Sequence, residues 1–192
     1  MDSLICVSGP RGAGKETVLN AVLNQNQGLL QRVVPFTTRE KRAAETHGRE
    51  YYFIPKKFFN RMTEDRLLYS VQIGSGENSY FSGTIKDEFE RIHHGITDIT
   101  VEGAKILSNF SKRSLLIYVY ASFEERLERV IKRQDFTEEQ ALALLSNEPS
   151  PANNLEEAKT LYPEFVILEN HDGVGVEQLL RPVSKIIKAS VF

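Results

Sequence analysis

The sequence predicts a three-layer α/β sandwich: a parallel central sheet with helices on both faces, a small antiparallel subdomain and a helical lid. Three observations predict it. Short apolar runs rich in β-branched residues alternate with stretches of helical spacing over most of the length. One run, residues 115–120, is apolar throughout, as strands covered on both faces are. A glycine cluster, Gly9, Gly12 and Gly14, falls between the first run and the first helical stretch.

The elements follow in order. Residues 3–8 read as a strand, and Val18, Leu19, Val22 and Leu23 recur at helical spacing after the glycines. Residues 32–36 are extended and lead into the polar segment 37–49, and residues 51–54 form a further strand. Pro55 opens a short helix through Met62. Residues 67–73 and 80–83 are β-prone runs around the turn-rich 74–79, which predicts a hairpin. Residues 85–92 have helical spacing, and 96–101 are expected as a strand ending in a turn at Glu102 and Gly103. After strand 115–120 comes a charged amphipathic helix over 123–131. Segment 134–162 carries helical pieces and the breaker cluster 149–154 but no strand, which suits a mobile lid. Strand 165–168 and helix 176–187, interrupted only by Pro182, complete the chain.

The 192 residues suit one domain, 1–192, with a core of 1–34, 85–133 and 163–192, an acceptor-binding subdomain of 35–84 and a lid of 134–162. At 41% hydrophobic and 26% charged residues, the composition is that of a globular protein. A net charge of −2 provides no global positive field, which argues against nucleic-acid and membrane partners. Cys6, the only cysteine, sits in an apolar run and predicts a buried structural thiol. The N-terminus lacks the basic and long apolar regions of a secretion signal, so a cytoplasmic location is expected. His47, His93, His94 and His171 are scattered among polar residues and carry no predicted chemistry.

The strongest chemical signal is Gly9, Pro10, Arg11, Gly12, Ala13, Gly14 and Lys15 between a strand and a helix, which is a P-loop. Its amides converge on phosphate oxygens, the helix terminus adds partial positive charge, and Lys15 reaches the β- and γ-phosphates. The next position, where a hydroxyl on Mg²⁺ is usual, holds Glu16, with Thr17 following. Glu16 has two readings: a Mg²⁺ ligand, or a first-turn acid complementing the helix dipole.

The second signal is Thr37, Thr38 and Arg39, followed by Arg42, Glu45, Gly48, Tyr51 and Phe53. With the P-loop, this pattern resembles the guanylate kinase family over nearly the whole chain. The resemblance implies phosphoryl transfer from ATP, with Mg²⁺, to a phosphorylated acceptor, GMP in that family. Arg39, Arg42 and Tyr51 take the acceptor-phosphate positions, and the guanidinium fork suits that anion. Tyr80, Gly83 and Thr84 match the segment that helps hold it, and Glu45 belongs to the same pattern. Gly9, Arg11, Gly12, Ala13, Gly14, Lys15, Glu16, Thr17 and Asn170 fall at ATP-binding positions. Lys15, Arg39, Arg129 and Arg133 are the expected catalytic residues, the two later arginines spreading charge on the transferring group. Glu16, Thr17 and Asp98 are the candidate metal ligands, Asp98 being alternatively a turn acid.

The pattern also departs from the family. Where it reads guanine with a serine and two acids, this chain has Pro35, Tyr69 and Thr100, none of which accepts as a carboxylate does. Leu144 replaces the lid arginine. Losing acceptors for the guanine edge is expected to cost base preference steeply. Two alternatives therefore stand beside the kinase: a guanylate kinase-like module binding a phosphorylated partner such as a phosphopeptide, or a sugar-phosphate phosphokinase, a branch that tolerates an acid after the P-loop lysine.

Overall fold

The computed structural model describes residues 1–62, 64–74, 76, 79–134, 136–148, 151–162 and 164–191. Five parallel strands form the central sheet in the order β2-β7-β1-β8-β9: Gln31–Arg32 (β2), His94–Asp98 (β7), Ser3–Ser8 (β1), Arg113–Tyr120 (β8) and Phe165–Glu169 (β9). Alternation along β1 shows why there are three layers. Ile5 and Val7 face one core, with Val18, Leu19 and Val22 of Lys15–Gln25 (α1) and Leu179, Leu180, Val183 and Ile187 of Val176–Val191 (α8). Leu4 and Cys6 face the other, with Val101, Ala104 and Leu107 of Val101–Ser108 (α4) and Ala158 of Pro151–Leu161 (α7). Both faces of the strand are dry, so its run is apolar without a polar phase. Burial pushes the Cys6 thiol up to about 12, and Tyr162 closes over it, donating to the Ala104 carbonyl at 3.2 Å.

The second sheet has the order β4-β3-β6-β5, from Tyr52–Phe53 (β4), Phe36–Thr37 (β3), Tyr80–Ile85 (β6) and Leu67–Ile73 (β5). It is mixed rather than wholly antiparallel: β5 and β3 run against β6, but β3 and β4 are parallel. The polar segment between β3 and β4 is long enough to bring the chain back in the same direction. Residues 32–36, expected as one stretch, divide between two sheets around Pro35.

A larger correction concerns 96–101. The strand ends at Asp98, and Thr100 caps α4, its hydroxyl accepting from the Gly103 amide at 3.1 Å. The expected turn at Glu102 and Gly103 is therefore a first helical turn. Lys56–Phe59 (α2), Lys86–Glu90 (α3) and Phe123–Gln134 (α5) lie where helices were expected, and a short 3-10 turn at Glu64–Arg66 precedes β5. Segment 134–162 is helical: Glu138–Ser146 (α6) packs Ala141 and Leu145 against Val130 of α5, and α7 begins at Pro151 inside the supposed breaker cluster. Proline suits a first helical position because the amide it lacks would have no partner there. Residues 149 and 150 of that cluster lie outside the described residues. Pro182 lies on the exposed side of α8, which continues through it. Among the described residues no helix is long and apolar enough to cross a membrane.

Candidate active site

In a parallel sheet all strand carboxyl ends lie at one edge, and loops there build ligand sites. The P-loop follows β1 at that edge, Asp98 ends β7, and Asn170 follows β9. Gly9, at φ +139°, passes so close to β8 that a Cβ would stand 2.1 Å from the Val119 carbonyl oxygen. Gly14, at φ +94°, is the N-cap of α1 and provides no side-chain cap, which leaves the first-turn amides for an anion. Asn170 donates to the Ala13 carbonyl at 2.7 Å, and Lys15 donates to the carbonyls of Gly9 and Pro10 at 3.0 and 3.2 Å. The loop is thus held from both flanks, with its lysine folded over its own mouth.

Two further arginines fasten the P-loop. Arg129 donates to the carbonyls of Gly12 at 3.4 Å and Asn170 at 2.9 Å, and pairs with Asp172 at 2.5 Å. Arg126, only 4% exposed, donates to the Arg11 carbonyl at 3.3 Å and pairs with Glu148 at 3.3 Å. Glu148 also accepts from the Arg11 amide at 3.2 Å and its Nε at 3.1 Å. The end of α6 is thereby tied to the phosphate loop. Arg133 falls in α5, and its side chain lies outside the described residues.

The residues expected to hold the acceptor phosphate cluster around Glu45 beside the second sheet. Glu45 accepts both forks of Arg39, at 2.7 and 2.5 Å, and the Arg42 amide at 2.9 Å. The Arg39 guanidinium lies over the rings of Tyr51 and Phe53, 5.1 and 5.5 Å from their centroids. Burial works against the Arg39 charge, but Glu45 outweighs it and the guanidinium pKa is raised. Burial likewise opposes the charge on Glu45, yet bonds from Arg39 and the Arg42 amide hold its carboxyl below the usual range. Tyr51 is pushed up, by burial first and then by Asp98, while Arg39 and Arg32 pull the other way.

The proposed base-reading positions meet, but on each other. Tyr69 and Thr100 share a hydrogen bond of 2.7 Å, and Thr100 already caps α4. The Tyr69 ring packs on Gly103, where a Cβ would come within 2.6 Å of it. Pro35 is buried, its carbonyl accepting from the Tyr52 amide at 2.8 Å. No carboxylate belongs to the set.

The expected metal ligands fit poorly. Both oxygens of Glu16 are engaged by Arg32, at 2.6 and 2.9 Å, and Asn20 donates to one of them at 3.1 Å. Thr17 is exposed, and no group of three or more His, Cys, Asp or Glu among the described residues is placed to hold a metal ion. Glu16 is therefore an ion-pair partner of Arg32 in this structure. Arg32, Arg126 and Glu148 were not foreseen, because each acts through a partner distant in sequence. Thr100 as a cap could have been: Val101, Ala104 and Leu107 follow it at helical spacing.

A P-loop at the carboxyl edge of a parallel sheet, in a chain whose second sheet carries an arginine–tyrosine cluster, defines a nucleotide-binding phosphotransferase scaffold. The guanylate kinase family model matches residues 1–189, and the chain belongs to that family. It is 30% identical to a guanylate kinase of Prochlorococcus marinus over 192 residues, covering 98% of each chain. It is 34% identical to the guanylate kinase of Porphyromonas gingivalis over 139 residues, 69% of this chain and 73% of that one. A crystal structure of guanylate kinase from Anaplasma phagocytophilum superposes with a TM-score of 0.66 at 18% identity, covering 98% of this chain and 85% of that one.

Proposed function

We propose that the chain is a nucleoside monophosphate kinase that transfers the γ-phosphoryl group of ATP to GMP, yielding ADP and GDP. The observation that carries this reading is that one chain holds both a glycine loop whose α1 amides Gly14 leaves uncapped and an Arg39–Glu45 fork laid over Tyr51. Two anion sites in one chain suit two phosphorylated substrates meeting end to end. The P-loop amides and Lys15 hold the donor phosphates. Arg39, Arg42, Tyr51 and Tyr80 hold the acceptor phosphate, with Glu45 orienting Arg39. An acceptor phosphate oxygen attacks the γ-phosphorus as its bond to the ADP oxygen breaks, through a loose transition state that needs position and positive charge rather than a covalent partner. Arg129 and Arg133 provide that charge, Arg129 by exchanging Asp172 for the transferring group. ATP fits the loop; Mg²⁺, which accompanies ATP in this chemistry, finds no ligand in Glu16 as it stands. Base selection rests on the hydroxyls of Tyr69 and Thr100, so GMP is preferred less strictly than a carboxylate pair would enforce.

The full-length match to guanylate kinases supports neither the phosphopeptide module nor the sugar-phosphate kinase. A coupled ADP-release assay tests the proposal. Arg39→Ala should raise the KM for GMP by about tenfold or more while leaving ATP binding within about twofold. Absence of turnover with GMP, IMP and AMP alike refutes it.

A further inference from the structure

We infer that Arg32 is a resident cation at the P-loop, fixed by Glu16 in the corner where a P-loop ordinarily recruits a divalent ion. The inference rests on the phosphate-site reading above. In P-loops the side chain after the lysine is a hydroxyl that ligates the metal. Here that position is Glu16, whose two oxygens grip the Arg32 guanidinium in a fork. Arg32 comes from β2, paired with Ile96, two residues before Asp98 at the end of β7. Burial disfavours its charge, but Glu16, then Asp98 and Glu50, more than restore it. The side chain is 11% exposed, and its Nε is buried without a hydrogen-bond partner, so the group is held for its charge despite incomplete solvation.

The consequence is a change in who neutralises phosphate. A guanidinium cannot shed its proton, so this charge is permanent where a metal's depends on concentration. A divalent ion seeking Glu16 must first break a half-buried bidentate pair. Arg32 acts as a positioning residue: it occupies Glu16 and adds a fixed positive charge one carboxylate's width from the loop. Nucleotide affinity should consequently depend little on Mg²⁺.

Calorimetric titration of ADP into the whole chain, once in Mg²⁺ and once in EDTA, reads this directly as a ratio of affinities. The wild-type ratio is expected within about threefold of one, because the site carries its own cation. Arg32→Gln frees Glu16 and removes the charge, so its ratio should rise to about tenfold or more, with the loss confined to EDTA. Arg32→Lys keeps the charge and should stay close to wild type. Manganese EPR of the ADP complexes should show a protein-bound ion with Arg32→Gln but not with wild type. A wild-type ratio of about tenfold or more, or an Arg32→Gln ratio equal to wild type, overturns the inference, leaving a plain structural ion pair. The first of these outcomes needs no variant to fold. Binding of ADP with strong Mg²⁺ dependence removes only this inference; absence of binding in both buffers removes the phosphate site and the inference together.

Discussion

Replacing Glu148 by glutamine tests whether the end of α6 is tied to the phosphate loop by charge. The carboxylate holds the Arg11 amide, the Arg11 guanidinium and Arg126, through contacts of 3.1 to 3.3 Å. Arg126 is 4% exposed with its Nε unpartnered, and Glu148 pairs with it beside the Phe123 ring. Stripping the partner from a buried charge costs about 3–5 kcal/mol. Glu148 itself is 19% exposed and glutamine keeps one acceptor, so about 1.5–3 kcal/mol is expected after screening. For a chain of this size that lowers the thermal midpoint by about 3–10 °C. Arg126→Met should recover part of the loss in combination, because two removed charges leave neither stranded. A double-mutant cycle by circular dichroism should therefore show a coupling of about 1–2 kcal/mol. Additivity within about 0.5 kcal/mol refutes the reasoning, since the three groups would then not act as one network.

Three other outcomes are expected. Gly9→Ala puts a Cβ 2.1 Å from the Val119 carbonyl at φ +139°, whereas Gly28→Ala meets nothing within 4 Å at φ +79°. Gly9→Ala should thus lose about 3 kcal/mol or more and Gly28→Ala only about 1, with equal losses in urea unfolding counting against the fit of loop to strand. Backbone amides of Asp172 and Ser122 hold the Glu125 carboxyl down at about 2 from its ordinary 4.5, so its stabilisation is complete above that value and fades as pH falls towards 2. The gap in thermal midpoint between wild type and Glu125→Gln should be constant above pH 5 and narrow below about 4.5; a gap independent of pH contradicts the assignment. Thr100→Asp keeps a good helix cap and adds an acceptor beside Tyr69, so the kcat/KM ratio of GMP to IMP should rise about tenfold, and an unchanged ratio would show that the base lies elsewhere.

Much of the fold was legible because its signals are local. The dry run of β8, the alternating cores on β1 and the glycines at the loop follow from composition and period. The loop–helix junction and the arginine clasp were readable for the same reason, since each is written within a few consecutive residues. The helix at 101–108 was missed because Ile96, Ile99 and Val101 share their apolar character with the preceding strand, and only the Thr100 cap divides them.

By itself the sequence determined a parallel α/β chain with a P-loop after its first strand, because backbone propensity and short-range spacing suffice for those. Only the tertiary structure decided which polar groups pair: Glu16 with Arg32, Glu148 with Arg11 and Arg126, and the Tyr69 hydroxyl with that of Thr100. Pairing depends on which groups the folded sheet brings within about 3 Å, and desolvation there makes one partner much better than the rest, a choice that spacing along the chain does not encode.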